Sequence, residues 1–108
     1  MRILDFEVSG QIITKKSDCD FSNIVAGSEG YLQARFDFSP EWDNCVKVAA
    51  FYYGRTEFPP QVIGEDNTCN IPAEALVNSM FHIQVIGQRK GYKISTNKVI
   101  IEQDGGKV

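Results

Sequence analysis

Leu32-Gln33-Ala34-Arg35-Phe36-Asp37-Phe38-Ser39-Pro40-Glu41-Trp42-Asp43 decides the fold, because a clean two-residue alternation stops at a short helix signal that carries the only tryptophan of the chain. Leu32, Ala34, Phe36 and Phe38 fall on one side of an extended segment and Gln33, Arg35 and Asp37 on the other, the period of a half-buried β-strand. Ser39 offers a hydroxyl for an N-cap, and Pro40 suits a first helical position, where the missing N–H costs nothing. A turn there throws Trp42 back against the sheet, so Phe36, Phe38 and Trp42 are expected in one core cluster.

Working outward, Ile3 to Val8 alternates with Leu4, Phe6 and Val8 on one face, and Gly10 marks a bulge or bend before Gln11 to Lys15 continues extended. Residues 17–30 carry Asp, Ser, Asn and Gly at loop density, with Phe21, Ile24 and Val25 as expected anchors. Cys45 to Tyr53 reads as a long strand with Val46, Val48, Ala50 and Tyr52 on one face and Lys47, Ala49, Phe51 and Tyr53 on the other. Both faces are largely apolar, which predicts a central strand. Gly54-Arg55 has the form of a two-residue type II′ hairpin returning through Thr56 to Phe58, and Pro59-Pro60 ends that pairing. Val62-Ile63 and Thr68 to Ile71 flank a hairpin-like Gly64-Glu65-Asp66-Asn67, Pro72 opens a short helical turn, and Met80 to Ile86 with Tyr92 to Glu102 form a last hairpin.

No segment has the sustained 3.6 periodicity of a core helix. The spacing of strand and turn signals therefore predicts an all-β fold, an antiparallel, broadly immunoglobulin-like β-sandwich of seven to nine short strands with one or two short helical turns. Core positions are Phe36, Phe38, Trp42, Phe51, Ile71 and Val85. A chain of 108 residues suits one domain, read here as residues 1–103 with a flexible tail at 104–108.

Composition narrows the function classes. An apolar share of 43% with 11% aromatics belongs to a folded globular chain rather than a disordered one. A net charge of −3 with scattered Lys and Arg lacks the footprint of a nucleic-acid binder. No apolar run approaches a membrane span and Met1 to Gly10 lacks the pattern of a signal peptide, so no membrane insertion is expected and synthesis in a cytoplasm is. Cys19, Cys45 and Cys69 are odd in number and far apart, which encodes neither a disulfide framework nor a zinc site. Three reduced thiols are expected, Cys69 buried and Cys19 exposed enough to cross-link.

Catalytic, cofactor and metal sites are expected to be absent. His82, the only histidine, alternates with Phe81, Ile83 and Val85 and reads as a sheet-face side chain, with no nucleophile or orienting group supplied by its surroundings in sequence. Glu41 and Asp43, two residues apart at a helical turn, read as solvation of that turn rather than a glycosidase pair. There is no P-loop, dinucleotide fingerprint or H-E-x-x-H motif. Tyr31, Tyr52, Tyr53 and Tyr92 are the aromatics that a sugar ring could stack on, although core and strand-pair packing is the better account of such residues.

Five motifs in order, Phe36-x-Phe38-Ser39-x-Glu41-Trp42-Asp43, Lys47-x-Ala49-x-Phe51, Cys69-x-Ile71-Pro72-x-Glu74-x-Leu76, Val85-x-Gly87 and Tyr92-Lys93-Ile94-x-Thr96-Asn97, carry a resemblance. Together they resemble a β-sandwich domain of tail, baseplate and fibre proteins of phages and prophages of Firmicutes, over nearly the whole chain. Lys93 stands where that family usually has a basic residue. The resemblance implies a non-enzymatic virion component, made in the bacterial host cytoplasm, whose partners are other virion proteins and further copies of itself. In that family the module commonly opens a longer protein with a fibre or receptor-binding tip; this chain stops at Gly105-Gly106-Lys107-Val108, either as a minimal version acting alone or with a linker and distal domain left out, and attachment to the virion is the expected role. The alternative is a carbohydrate-binding module for host surface polysaccharide. Strand edges at Arg2 to Val8 and Val99 to Glu102, together with Phe58, Pro59, Pro60 and Tyr53, are the candidate interface.

Overall fold

Strand β1 (Arg2–Ser9) turns at Gly10-Gln11 into β2 (Ile12–Lys15), pairing Ser9 with Ile12 and Phe6 with Lys15. Gly10 has φ +56°, the left-handed backbone that a two-residue hairpin demands, so it is a corner and not a bend within one extended segment. The computed structural model describes all residues, 1–108.

Strand β3 (Leu32–Phe38) then lies beside β1 in parallel, from Arg2 opposite Leu32 to Val8 opposite Phe38. This corrects the expectation of a wholly antiparallel sandwich. Alternation assigns faces but not directions, and a parallel pair needs a crossover of a dozen or more residues. The hairpin and the connection after it supply that crossover. The Arg2 guanidinium fastens the connection by donating to the backbone carbonyls of Asp20, Ser22 and Asn23. Phe21 sets its ring edge-on to Phe6 at 5.4 Å and Ile24 is buried. Val25, expected as an anchor, is 61% exposed and is held by its backbone, which bridges to Asp104.

The remaining strands are β4 (Val46–Tyr53), β5 (Thr56–Glu57), β6 (Gln61–Val62), β7 (Thr68–Asn70), β8 (Met80–Arg89), β9 (Tyr92–Ser95) and β10 (Val99–Glu102), with 3₁₀ turns at Pro40–Trp42 and Ala75–Val77. One sheet runs β2-β1-β3-β7; the other runs β10-β8-β4-β5, with β6 also on β4 and β9 also on β8. The fold is the expected all-β sandwich of two packed sheets with short helical turns, carrying ten strands because β5 and β6 are two residues each and the last arm breaks between β9 and β10. β4 is central as expected, flanked by β8 on one side and β5 and β6 on the other.

The stretch 62–71 is not a hairpin. β6 pairs with β4 in one sheet and β7 with β3 in the other, so the segment between them crosses the edge of the sandwich. Ile63 N–H bonds Lys47 O at 2.9 Å on one side of that crossing, and Gly64 N–H bonds Thr68 O at 3.0 Å on the other. At the opposite edge Asn97 does the same work: its N–H donates to Gln11 O at 3.0 Å and its side-chain oxygen accepts Ile13 N–H at 2.9 Å. The edge strand β2 is thereby capped by the chain that joins β9 to β10. β1, expected as an edge, lies between β2 and β3.

The segment 104–108, expected as a free tail, is paired. Asp104 N–H donates to Ile24 O at 2.7 Å, Lys107 N–H to Val77 O at 2.9 Å, and Lys107 O accepts Ser79 N–H at 2.6 Å. Gly106 is needed there, since a Cβ would stand 2.2 Å from the Asn78 carbonyl.

Between the sheets lies one continuous core that includes Phe36, Trp42, Phe51, Ile71 and Val85, with Phe38 half-buried against it. A row of rings crosses it: Phe6 on Phe36 at 5.6 Å, Phe36 on Phe38 at 5.8 Å, and Phe38 on Trp42 at 5.3 Å. Trp42 is fully buried, and its indole N–H donates to Gly10 O at 2.8 Å. Ser39 does not cap the 3₁₀ turn; its hydroxyl oxygen accepts Gly10 N–H at 2.9 Å and ties one turn to another. Opposite the indole, a Cβ on Gly87 would come within 2.7 Å of the ring.

Trp42→Ala should cost about 3–5 kcal/mol through the cavity and the lost hydrogen bond. Gly87→Ala should cost about 1–3 kcal/mol by overpacking the same spot. Urea unfolding of the two variants checks both, and unfolding midpoints equal to that of the unsubstituted chain would show that the indole carries no packing load.

Candidate interaction surface

The two sheets differ in what they turn away from the core. On the first, the outward positions of β1, β3 and their neighbours include Asp5, Glu7, Arg35, Asp37, Lys16 and Thr68, with Ile3 and Ile12 the exposed apolar side chains at the β1–β2 end. Arg35 grips Asp5 in a two-pronged ion pair at 2.6 and 3.0 Å, and Lys16 reaches Asp37 at 3.2 Å. Those hydrogen bonds raise the pKa of both basic groups above their ordinary values. Each base on that face is paired with an acid of the same face.

The second sheet turns outward an apolar field. Register puts Val46 beside Gln88, Val48 between Val62 and Ile86, Ala50 beside Gln84, and Tyr52 between Glu57 and His82, with Ile100 beyond His82. Val62 is 70% exposed, Val46 66% and Ile100 43%. No third layer covers them. Polar groups stand at the margins, Lys93 opposite Gln88 at one end and Glu102 opposite Met80 at the other.

The sequence pattern makes β4 apolar on both faces, the sign of a central strand, and β4 is central. Its second apolar face is uncovered, and Val46, Val48, Val62, Ile86 and Ile100 are surface residues that alternation alone does not single out. The residues expected at an interface are divided. Pro59 and Pro60 are exposed and join β5 to β6 at the margin of the apolar field. Phe58 packs against the core and Tyr53 is half-buried with the core-side residues of β4.

The aromatics are occupied. The Lys98 ammonium sits over the Tyr52 ring at 4.1 Å and the Arg89 guanidinium over Tyr92 at 3.9 Å. Tyr52 OH donates to Gln84 Oε1, and burial pushes its pKa up. Tyr92 OH donates to the backbone carbonyl of Glu41. Tyr31 alone stands clear, half-exposed. Glu41 is held by its own turn, where the Ser39 hydroxyl keeps its carboxyl below the usual range. His82 lies half-buried on the outer face with Tyr52 and Ile100 as cross-strand neighbours. No three His, Cys, Asp or Glu side chains gather as a metal site, and no helix is long and apolar enough to cross a membrane.

All three thiols are free, Cys69 buried and Cys19 and Cys45 half-buried. Burial pushes the Cys69 thiol from 9.0 up to about 12. Its neutral form favours the folded state, so this contribution is complete below pH ~9 and is lost as pH climbs toward ~12, where the unfolded chain ionises first. Iodoacetamide at pH 8 should therefore label Cys19 and Cys45 on the native protein and Cys69 only in denaturant, and reductant should leave the melting temperature of the monomer unchanged. Native labelling of Cys69 as fast as the others would contradict this packing.

No protein-family model, curated protein or solved structure matches this chain.

Proposed function

We propose that this chain is a non-enzymatic structural or adaptor component of a phage virion, acting at a tail, baseplate or fibre attachment point through protein-protein assembly. The observation that carries the reading is the outer face of the second sheet, where Val46, Val48, Val62 and Ile86 form an apolar patch with Ile100 beyond His82, beside a first sheet whose outer face carries Asp5, Glu7, Arg35 and Asp37 and only Ile3 and Ile12 as exposed apolar side chains. Contiguous exposed apolar surface rimmed by polar residues marks an interaction site. The motif resemblance around Trp42, Lys47 to Phe51 and Tyr92 to Asn97 supplies the virion context. Partners on this reading are other virion proteins and copies of the chain itself, with no cofactor.

The competing reading, a module for host surface polysaccharide, needs aromatic platforms, and the rings of Tyr52 and Tyr92 are already covered by cations. Tyr31 is the remaining exposed ring.

A tagged chain expressed in an infected or induced host should purify with particles, and Val46→Asp with Val62→Asp should reduce that incorporation about tenfold or more while leaving the melting temperature within a few degrees. A chain absent from particles, yet retained on isolated host cell wall in a Tyr31-dependent way, would replace assembly with glycan binding.

A further inference from the structure

We infer that the apolar outer face of the second sheet is a self-association surface, occupied by the same face of a second copy around a two-fold axis. The inference rests on the assembly reading above and names the partner of that face.

Four observations bear on the occupant. The first is that the strand edges are short. Asn97 caps β2, β5 and β6 are two residues each, β7 is three, and β9 and β10 on the far edge of the second sheet are four each. Addition of a partner strand therefore has few backbone groups to pair with at any one edge. The outer face spans all the strands of its sheet.

The second is area. Four columns of strand at ~4.8 Å, made by β4 with eight residues, β8 with ten, β9 and β10 with four each and β5 and β6 with two each, span about 500 Å² of plane at ~3.4 Å per residue, and side-chain relief raises the accessible area toward the ~800 Å² per partner of a standard interface.

The third is shape. Ala50, a small residue only 1% exposed between its larger neighbours, lies with Gln84 at the middle of the field, and the bulkier Val48 and Ile86 lie to one side with Tyr52 and His82 to the other. Two such faces stacked with strands in opposite directions set the Val48 and Ile86 row of each copy against the Tyr52 and His82 row of the other. Packed sheets meet in this way at ~10 Å, with strands within ~30° of alignment.

The fourth is charge. Lys93 and Glu102 both flank β8 on the side away from β4, opposite Gln88 and Met80, the two ends of the same outward row. An axis crossing the strands at Ala50 and Gln84 exchanges those ends. Lys93 of each copy then meets Glu102 of the other, giving two equivalent ion pairs at the rim. A face with one sign of charge would repel itself; this one is self-complementary, as a two-fold contact requires.

Light scattering coupled to size exclusion, run from micromolar to hundreds of micromolar chain, reads the state directly. A concentration-dependent dimer is expected. Val62→Asp and Val46→Asp, both at exposed positions, should each raise its dissociation constant about tenfold or more while the melting curve stays cooperative. Lys93→Glu and Glu102→Lys should each weaken the dimer, and the variant carrying both should recover it, since the exchange restores opposite charges across the axis. A monomer at every concentration, or a dimer indifferent to Val62→Asp and to the charge exchange, overturns the inference. Particle incorporation is measured separately: a monomeric chain that still enters particles would remove the self-association and leave the assembly reading in place, whereas a dimer absent from particles would do the reverse.

Discussion

Trp42 is the junction on which the two sheets depend. Its indole lies against Phe38 at the end of β3, donates to the Gly10 carbonyl at the β1–β2 corner, and faces Gly87 of the opposing sheet, where only hydrogen fits. Three chain segments far apart in sequence are thus positioned by one side chain. The hydrogen bond matters as much as the packing, because an indole N–H buried without an acceptor would carry the desolvation cost of a lost partner. Pro40 and the 3₁₀ turn aim the ring, and the chain leaves that turn directly into β4 of the second sheet. Where Trp42 sits therefore determines where the central strand begins.

The strands and their faces were legible in sequence, for a plain reason. Leu4, Phe6 and Val8, then Leu32, Ala34 and Phe36, then Ala49 and Phe51, and Phe81, Ile83 and Val85 each repeat at two residues, and the burial of those side chains follows the repeat. Strand direction was not legible, because alternation is identical for parallel and antiparallel neighbours; the parallel β1–β3 pair depends on where residues 16–31 take the chain. The same limit applies to residues 63–67. Glycine, aspartate and asparagine there serve a hairpin or a crossing between sheets equally, and pairing partners decide. The chain end misled for a related reason: Gly105-Gly106 has the composition of a loose tail, whereas Gly106 is required by the close approach of Asn78, a tertiary fact with no local signature.

The interaction surface was half-legible. The two apolar faces of β4 were visible, but a sequence cannot say whether a second apolar face meets a third layer or water. β-Branched residues also favour strands for backbone reasons, so Val46, Val48 and Val62 alone do not announce an interface. The first sheet provides the internal comparison. Its outward positions carry Asp5, Glu7, Arg35 and Asp37 with Ile3 and Ile12 toward one end, so the same chain dresses the middle of one exposed sheet face in charge and leaves the other with uncharged and apolar side chains around Val48 and Ile86. Strand propensity is common to both and does not account for the difference.

Short edges and an open face have opposite consequences for association. An unprotected strand edge accepts a neighbour and presents a new edge, so growth continues. A face that binds its own likeness across a two-fold axis is consumed by the contact and stops at two. Asn97 and the short edge strands limit the first mode, while the field centred on Ala50 leaves room for the second. With the proposed two-fold contact, stoichiometry would be set in the protein itself, before any larger particle imposes its own symmetry.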